Sequence, residues 1–361
     1  MVINGPRQAG KTTLARLVLA SGQGEWVSFD SRQLLEACLA DPVGFLESYS
    51  RPLFIDEFQR AGDPLLRAIK LEVDASPARG RFLLSGSSRF LTVRTLSESL
   101  AGRARIIDLW PYTQGEADQL GSSADVLLYQ LFDQRAGVVR QRGRAGRLSR
   151  ADYLERVCRG GYPEANELAP SARRQWFDSY LRTIVQRDVP EIARGRHLGE
   201  LPRLARIIAA RTGQLLIVEH VAREAGIERT VLARNYLPLL ETVYLTVSLP
   251  AWSRNLTSRV IKHPKTYLAD PGLAAHLLGV DQSGLAAPAA AALGPLVEAF
   301  VVDELIRQAS RGLDPSVALY HYRTRDGAEV DVVAEAADGR TVAIEVKAGR
   351  SVDRGAFRSL A

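Results

Sequence analysis

Lysine, cysteine and methionine are all scarce in this chain of 361 residues, which has five lysines, two cysteines and one methionine. Cys38 and Cys158 lie far apart and form no metal-type pair. That excludes a disulfide-stapled scaffold and a Cys-based zinc module, and it suits a reducing cytoplasm. Long apolar runs are missing too. The longest stretch without a charge, 282–297, is short, alanine-rich and broken by two prolines, so it does not span a membrane. No secretory signal precedes the first motif. The remaining 42 basic residues are arginines, a genome-composition bias that carries no function but makes each lysine more informative. What is present in ordinary amount, 46% apolar and 24% charged residues, is enough for two or three soluble domains, each with its own core.

The first informative stretch is "GPRQAGKT", residues 5–12. Its form, G-x-x-x-x-G-K-[ST], is that of a phosphate-binding loop between a strand and a helix. Gly5, Pro6, Arg7, Gln8, Ala9 and Gly10 would wrap a phosphate chain with backbone N–H groups. Lys11 would reach the outer phosphates, and Thr12, followed by Thr13, would ligate Mg²⁺. "KTTLARLVLA" then has helical periodicity, with Leu14, Leu17 and Val18 on one face. "EWVSFD" reads as a second strand. "RPLFIDEFQR" reads as a third, ending on Asp56, placed to hold Mg²⁺ through water, and Glu57, placed to polarise the attacking water. "RFLLSGSSR" is a strand ending in Ser85, Ser87 and Ser88, with Ser87 the expected sensor of the terminal phosphate. Arg103 or Arg105, in "SLAGRARIIDLWPY", can contact the nucleotide of the same or a neighbouring subunit, or be plain surface arginines. This order predicts a parallel sheet in which another strand separates the acid-ended strand from the loop strand.

These residues, with "GGYPEA" (160–165), "YLRTIVQRDV" (180–189), "PKTYLADPGLAAHLLG" (264–279) and "AEVDVVAE…AIEVKAG" (328–349), resemble the prokaryotic AAA-type P-loop ATPases. In that family, found in archaea and bacteria, the C-terminal half is a domain of unknown function that is winged-helix plus restriction-endonuclease-like. The resemblance covers nearly the whole chain. Family members usually carry a few dozen residues before the loop and continue past the last strand; both ends look shorter here.

Residues 116–155 read as a helical, polar connection containing the arginine-rich "RAGVVRQRGRAGRLSR". From 171 to 265 there are 16 basic and 8 acidic residues, against 31 and 33 in the rest of the chain, so the whole positive excess lies in the middle. Within it, "LIVEHVAREAGIERTVLARNYLPLLETVYLTVSL" reads as helix, turn at Gly226, helix and strand, the outline of a winged helix-turn-helix. Arg229 and Arg234 fall on the second helix, and Lys262 and Lys265 in the wing. Such a module binds duplex DNA through phosphate contacts, or packs on the ATPase and mediates assembly.

"GLAAPAAAALGP" reads as a low-complexity linker, followed by a helix and three strands with Asp-Gly turns at 326–327 and 338–339. Alternation puts Glu329, Asp331 and Val333 on one face of the second strand, opposite Val330 and Val332, and Glu345 with Lys347 on one face of the third. Two carboxylates and an ammonium brought together in this way can hold Mg²⁺ and orient water; an exposed charge pair across a hairpin is the plainer reading. The resemblance implies the D-x(n)-E-x-K core of restriction-endonuclease-like folds, with Glu298 on the preceding helix as the further acid. Such folds are also kept as binding modules without cleavage.

The expectation is therefore an α/β protein with an AAA-type ATPase domain at 1–115, a helical linker region at 116–200, a basic winged helix-like segment at 201–280 and a nuclease-like α/β domain at 290–361. It would be cytoplasmic, make no membrane contact, use ATP and Mg²⁺ as cofactors, take duplex DNA as partner, and be able to form a homo-oligomer. ATP hydrolysis coupled to DNA binding or processing is the leading function. The alternatives are a nucleotide-controlled switch that binds a protein partner, with an inactive nuclease-like domain, and a DNA-binding regulator of toxin–antitoxin kind.

Overall fold

The computed structural model describes residues 1–20, 24–76, 78–87, 100, 102–120, 126–132, 148–193, 199–255, 257, 259, 262–312, 316–324 and 327–349. The chain divides into two compact units.

The first unit comprises Met1–Pro111 with Thr242–Tyr244. Its sheet has five parallel strands: β1 (Val2–Asn4), β2 (Glu25–Ser28), β3 (Leu53–Asp56), β4 (Phe82–Gly86) and β5 (Ile106–Asp108), in the order β2-β3-β4-β1-β5. As expected, β4 lies between the acid-ended β3 and the loop strand β1. β3 is buried along its whole length, which is why it reads as a continuous apolar run. Leu53, Phe54 and Ile55 each contribute about 1.5–3 kcal/mol by burial. Phe29, Phe58, Leu65 and Leu66 complete the core around the sheet.

The helix read from periodicity forms at Lys11–Ala20, but its apolar face of Leu14, Leu17 and Val18 is 40%, 67% and 55% exposed, while Lys11 and Ala15 are buried. Periodicity marks a face as apolar; only packing decides what covers it.

The second unit contains two antiparallel three-stranded sheets. The first joins β6 (Gln214–Leu215), β7 (Thr246–Leu249) and β8 (Lys265–Leu268) in the order β6-β8-β7. The Leu201–Ala210 helix precedes β6. After it comes the Val218–Ala225 helix, which Gly226 ends in the left-handed conformation at φ 68°. Glu228 accepts from the Thr230 and Val231 N–H groups to start the next helix. Helical turns of π type occur at Ile184–Asp188 and Leu232–Tyr236. Each is followed two residues later by a proline, Pro190 and Pro238. A proline cannot donate to the carbonyl four residues back and its ring crowds that carbonyl, so the helix widens by one residue just before it.

The second sheet has β9 (Val317–Arg323), β10 (Glu329–Ala336) and β11 (Thr341–Ile344) in the order β11-β10-β9. The alternation expected along β10 holds only at its start. A bulge between Val330 and Val333 shifts the register, and Val330 to Ala334 are all buried. The segment read as a linker begins inside the Gln282–Ala286 helix, where Leu285 is fully buried, and runs into the long Leu293–Ala309 helix. Most of the arginine-rich stretch lies outside the described residues, as does Ser88.

A buried joint accounts for two of the sequence motifs. Arg307 Nη2 meets Asp270 Oδ2 at 3.0 Å, and Arg307 Nη1 donates to the Tyr112 carbonyl at 2.8 Å. The Gly161 N–H donates to Asp270 Oδ2 at 2.7 Å. A Cβ at Gly160 would overlap the Asp270 carboxylate and one at Gly161 the Arg307 guanidinium. "GGYPEA" therefore needs its two glycines because a buried ion pair approaches the backbone there.

Candidate nucleotide site and carboxylate cluster

The loop after β1 bends through positive φ at Gly5 (153°), Gln8 (60°) and Gly10 (93°). At Gly5 a side chain is also sterically barred, since a Cβ would overlap the Leu109 carbonyl. Pro6 and Ala9 are buried, Arg7 is half-buried, and Gln8 and Thr13 are exposed. The Lys11 ammonium folds back over the loop and donates to the carbonyls of Gly5 (2.8 Å) and Pro6 (2.7 Å). The Thr12 hydroxyl donates to Asp56 Oδ2 at 2.9 Å. The other Asp56 oxygen accepts from Ser85 Oγ and, at 3.1 Å, from the Glu57 N–H. The loop and the end of β3, 44 residues apart in sequence, thus meet at one carboxylate.

Glu57 is left-handed at φ 53°, ψ 39°, where the strand turns into the Phe58–Arg60 helical turn. Its carboxylate accepts from the Gln59 amide, and the Ser87 hydroxyl stands 3.4 Å away. Gln59 was not singled out from sequence; the one signal for it is Gly86, where a Cβ would come within 2.9 Å of Gln59 Oε1. Asn4 also went unremarked. It is buried at the end of β1, opposite Gly86, and its Oδ1 has no hydrogen-bond partner among the described residues.

Arg103 and Arg105 precede β5, which pairs in parallel with β1. They therefore lie at the N-terminal end of the strands, opposite to the end that carries the loop. Arg103 grips Asp74 with two bonds of 2.5 and 3.0 Å.

In the second unit the structure brings Glu298, Asp331, Glu345 and Lys347 into one neighbourhood, but around a residue expected elsewhere. Lys265 is 1% exposed and so is not a wing lysine available to phosphate. Its ammonium lies 2.7 Å from Glu329 Oε1, 2.9 Å from Glu298 Oε1 and 3.4 Å from Asp331 Oδ1. Burial alone would push the Lys265 pKa down, but Glu298 and then Glu329 hold it above the usual lysine value. Glu298, also bonded by the Tyr267 hydroxyl at 2.7 Å, is raised by burial despite the ammonium.

Glu345 and Lys347 follow β11 instead of lying in it. The Val346 N–H between them donates to Asp331 Oδ2 at 2.8 Å, and Lys347 bonds the Glu345 carboxylate. Among the described residues no group of three His, Cys, Asp or Glu side chains is disposed to hold a metal ion.

Comparison with known proteins gives three matched families along the chain. The AAA domain matches residues 1–117, a domain of unknown function (DUF8612) matches 150–284, and another (DUF4143) matches 293–361. Uncharacterized proteins Rv2008c of Mycobacterium tuberculosis and Mb2031c of Mycobacterium bovis are each 33% identical over 351 residues, covering 96% of this chain and 70% of theirs. Among solved structures, the Walker-type ATPase PABY2304 of Pyrococcus abyssi is 15% identical, with a TM-score of 0.47 over 77% of this chain and 90% of that one. The RuvB Holliday junction branch migration motor of Thermotoga maritima is 20% identical, with a TM-score of 0.31 over 69% and 81%.

Proposed function

The chain belongs to the AAA-type P-loop ATPases that carry a C-terminal domain of unknown function, and from that premise we propose that it hydrolyses ATP with Mg²⁺ and couples turnover to binding or processing of duplex DNA. The observation that carries the ATPase reading is the 2.9 Å bond between Thr12 and Asp56. The residues fit a magnesium nucleotide on this evidence: the hydroxyl and carboxylate that would hold the metal already meet, beside a loop whose glycines admit close approach of phosphate oxygens. When bound, Mg²⁺ would neutralise charge developing on the phosphates.

In this reading residues 5–10 cradle the phosphates with backbone N–H groups, with Thr13 beside them at the helix start. Lys11 leaves the loop carbonyls for the outer phosphates. Glu57 orients and polarises the attacking water, with Gln59 holding its carboxylate and Ser87 close enough to report the terminal phosphate. Arg103 and Arg105 would act on a neighbour's nucleotide in a homo-oligomer, because their own site is at the other end of the strands.

The DNA part of the proposal rests on charge and topology. The helix, short strand, two helices and hairpin from Leu201 to Leu268 follow the order of a winged helix. Arg234 and Lys262 on it are exposed. The test is ATP turnover with and without duplex DNA at low and moderate salt, with Lys11→Ala as the blank. Stimulation that fades as salt rises supports coupling; turnover indifferent to DNA at both salt levels sinks it.

A specific observation favours the second reading, a nucleotide switch holding a protein partner. Part of the middle segment's positive charge is internally matched. Lys265 is buried, Arg229 pairs with Glu219 at 2.7 Å, and Arg211 pairs with Glu224. Fewer basic side chains are left for phosphate than the count of 16 basic residues suggests. Nucleotide-dependent affinity for a protein, with DNA affinity unchanged by nucleotide, would establish it.

A further inference from the structure

We propose that the Lys265 ammonium is the resident cation of the Glu298–Glu329–Asp331 cluster, so that this face joins the two sheets of the second unit and takes up no divalent metal. The resemblance to restriction-endonuclease-like folds assigns Glu298 and Asp331, with Glu345 and Lys347, to a Mg²⁺-dependent cleavage centre; the residues present do not fit that assignment.

Four observations lead there. First, Lys265 reaches Glu298, Glu329 and Asp331 at 2.9, 2.7 and 3.4 Å. An ammonium at those distances sits where a cation shared by the same oxygens would have to sit, and its three donors satisfy three acceptors. Second, it is held in place. Lys265 lies in the middle of three neighbouring strands on β8, and the Tyr267 hydroxyl two residues on, the same side of the strand, bonds the same Glu298 oxygen. A lysine on a loop could swing out; this one is pinned by its strand.

Third, the lysine of the E-x-K pair is engaged elsewhere. Lys347 bonds Glu345, and the Asp331 oxygen not facing Lys265 accepts the Val346 N–H. Asp331 is thus bonded through both oxygens by the protein itself. Fourth, the elements so joined come from two segments read from sequence as separate modules: β8 from the winged helix-like segment, and the Leu293–Ala309 helix with β10 from the nuclease-like one. The backbone is continuous with this. Ala251 bridges His321, the Trp252 N–H donates to the His321 carbonyl at 2.6 Å, and the His321 N–H donates to the Pro250 carbonyl at 2.9 Å.

The charges are consistent with a lysine-filled cluster. A buried ammonium with three carboxylates around it is costly to expose and costly to remove, because removal leaves carboxylates facing one another out of water. Taking the lysine away should therefore create the metal site that the lysine pre-empts.

The experiment uses the full chain, stripped with chelator and kept free of nucleotide, titrated with Mn²⁺ and followed by the electron paramagnetic resonance of free Mn²⁺. Wild type and Asp331→Asn should give the same isotherm. Lys265→Met should gain a Mn²⁺ site that is lost again in Lys265→Met/Asp331→Asn, and its melting temperature should rise with Mn²⁺ while that of wild type stays put. A wild-type Mn²⁺ site that Asp331→Asn removes overturns the proposal, as does a folded Lys265→Met that gains none. If Lys265→Met does not fold, the comparison of wild type with Asp331→Asn still decides. Plasmid nicking in Mg²⁺ gives an independent reading: cleavage that Asp331→Asn abolishes also overturns it, and no Asp331-dependent cleavage supports it.

Discussion

The nucleotide site and the Lys265 cluster both place acids at strand positions, yet they are built in opposite ways. At the first, Asp56 is held by the neutral hydroxyls of Thr12 and Ser85 and by a backbone N–H, and the lysine points at carbonyls of its own loop. Its charges are arranged for something that arrives. At the second, three carboxylates close on an ammonium supplied by the same chain. The lesson is that carboxylates near a lysine do not announce chemistry; what matters is whether their partners are neutral donors that a ligand can join, or an opposite charge already in place.

The largest expected effect breaks the first site alone. Lys11→Ala should lower ATP turnover by at least ~100-fold, the scale of losing one donor to transition-state charge, with little change in the urea midpoint. Turnover within tenfold of wild type would remove Lys11 from its role. Glu57→Gln should lower turnover similarly while leaving affinity for a non-hydrolysable nucleotide nearly intact, read by equilibrium binding.

The second site should show the reverse pattern. Lys265→Met should cost about 3–5 kcal/mol of stability, as expected when one partner of a buried ionic cluster is removed, measured by urea denaturation of the full chain. A loss under about 1 kcal/mol would mean that the cluster is more hydrated than its burial indicates.

Smaller effects sharpen the contrast between buried and exposed charge. Arg234→Ala should leave stability unchanged and reduce the slope of log affinity for duplex DNA against log salt by about 0.9; an unchanged slope would take that arginine out of the interface. The smallest effect is on pH dependence. Burial, and then the nearby Lys265 and Lys262 charges, hold the His321 imidazole below its ordinary value of 6.5, against a hydrogen bond to the His263 carbonyl that works the other way. The unfolded chain therefore takes up that proton first. The His321 contribution is fully present above 6.5 and is lost as pH falls below it toward the lowered folded value. His321→Asn should flatten the stability profile in that window, and an equally steep profile in the variant would assign the slope to other groups.

Legibility in the sequence followed locality. Eight consecutive residues with two obligatory glycines identified the loop. The run "LFIDE" identified the strand that ends beside it, because a strand buried on both faces must be apolar until it emerges at its acid. The parallel order was readable from the alternation of strand and helix. By contrast, the apolar stripe of Leu14, Leu17 and Val18 marked a face without saying what covers it. The bulge in β10 has no sequence signature, since it depends on the register of a partner strand. Lys265 was misplaced for the same reason: near Lys262, in a segment expected to form a wing, nothing local distinguishes a buried lysine from an exposed one.

The sequence by itself therefore determined the nucleotide loop, the acid-ended strand and the parallel α/β sheet that carries them, because each depends on residues within one or two adjacent elements. Only the tertiary structure decided that Arg103 and Arg105 lie at the opposite end of the strands from that loop, and that the acids of the C-terminal half close on Lys265. Those outcomes depend on which distant strands become neighbours, and charge follows distance in space, which spacing along the chain does not record.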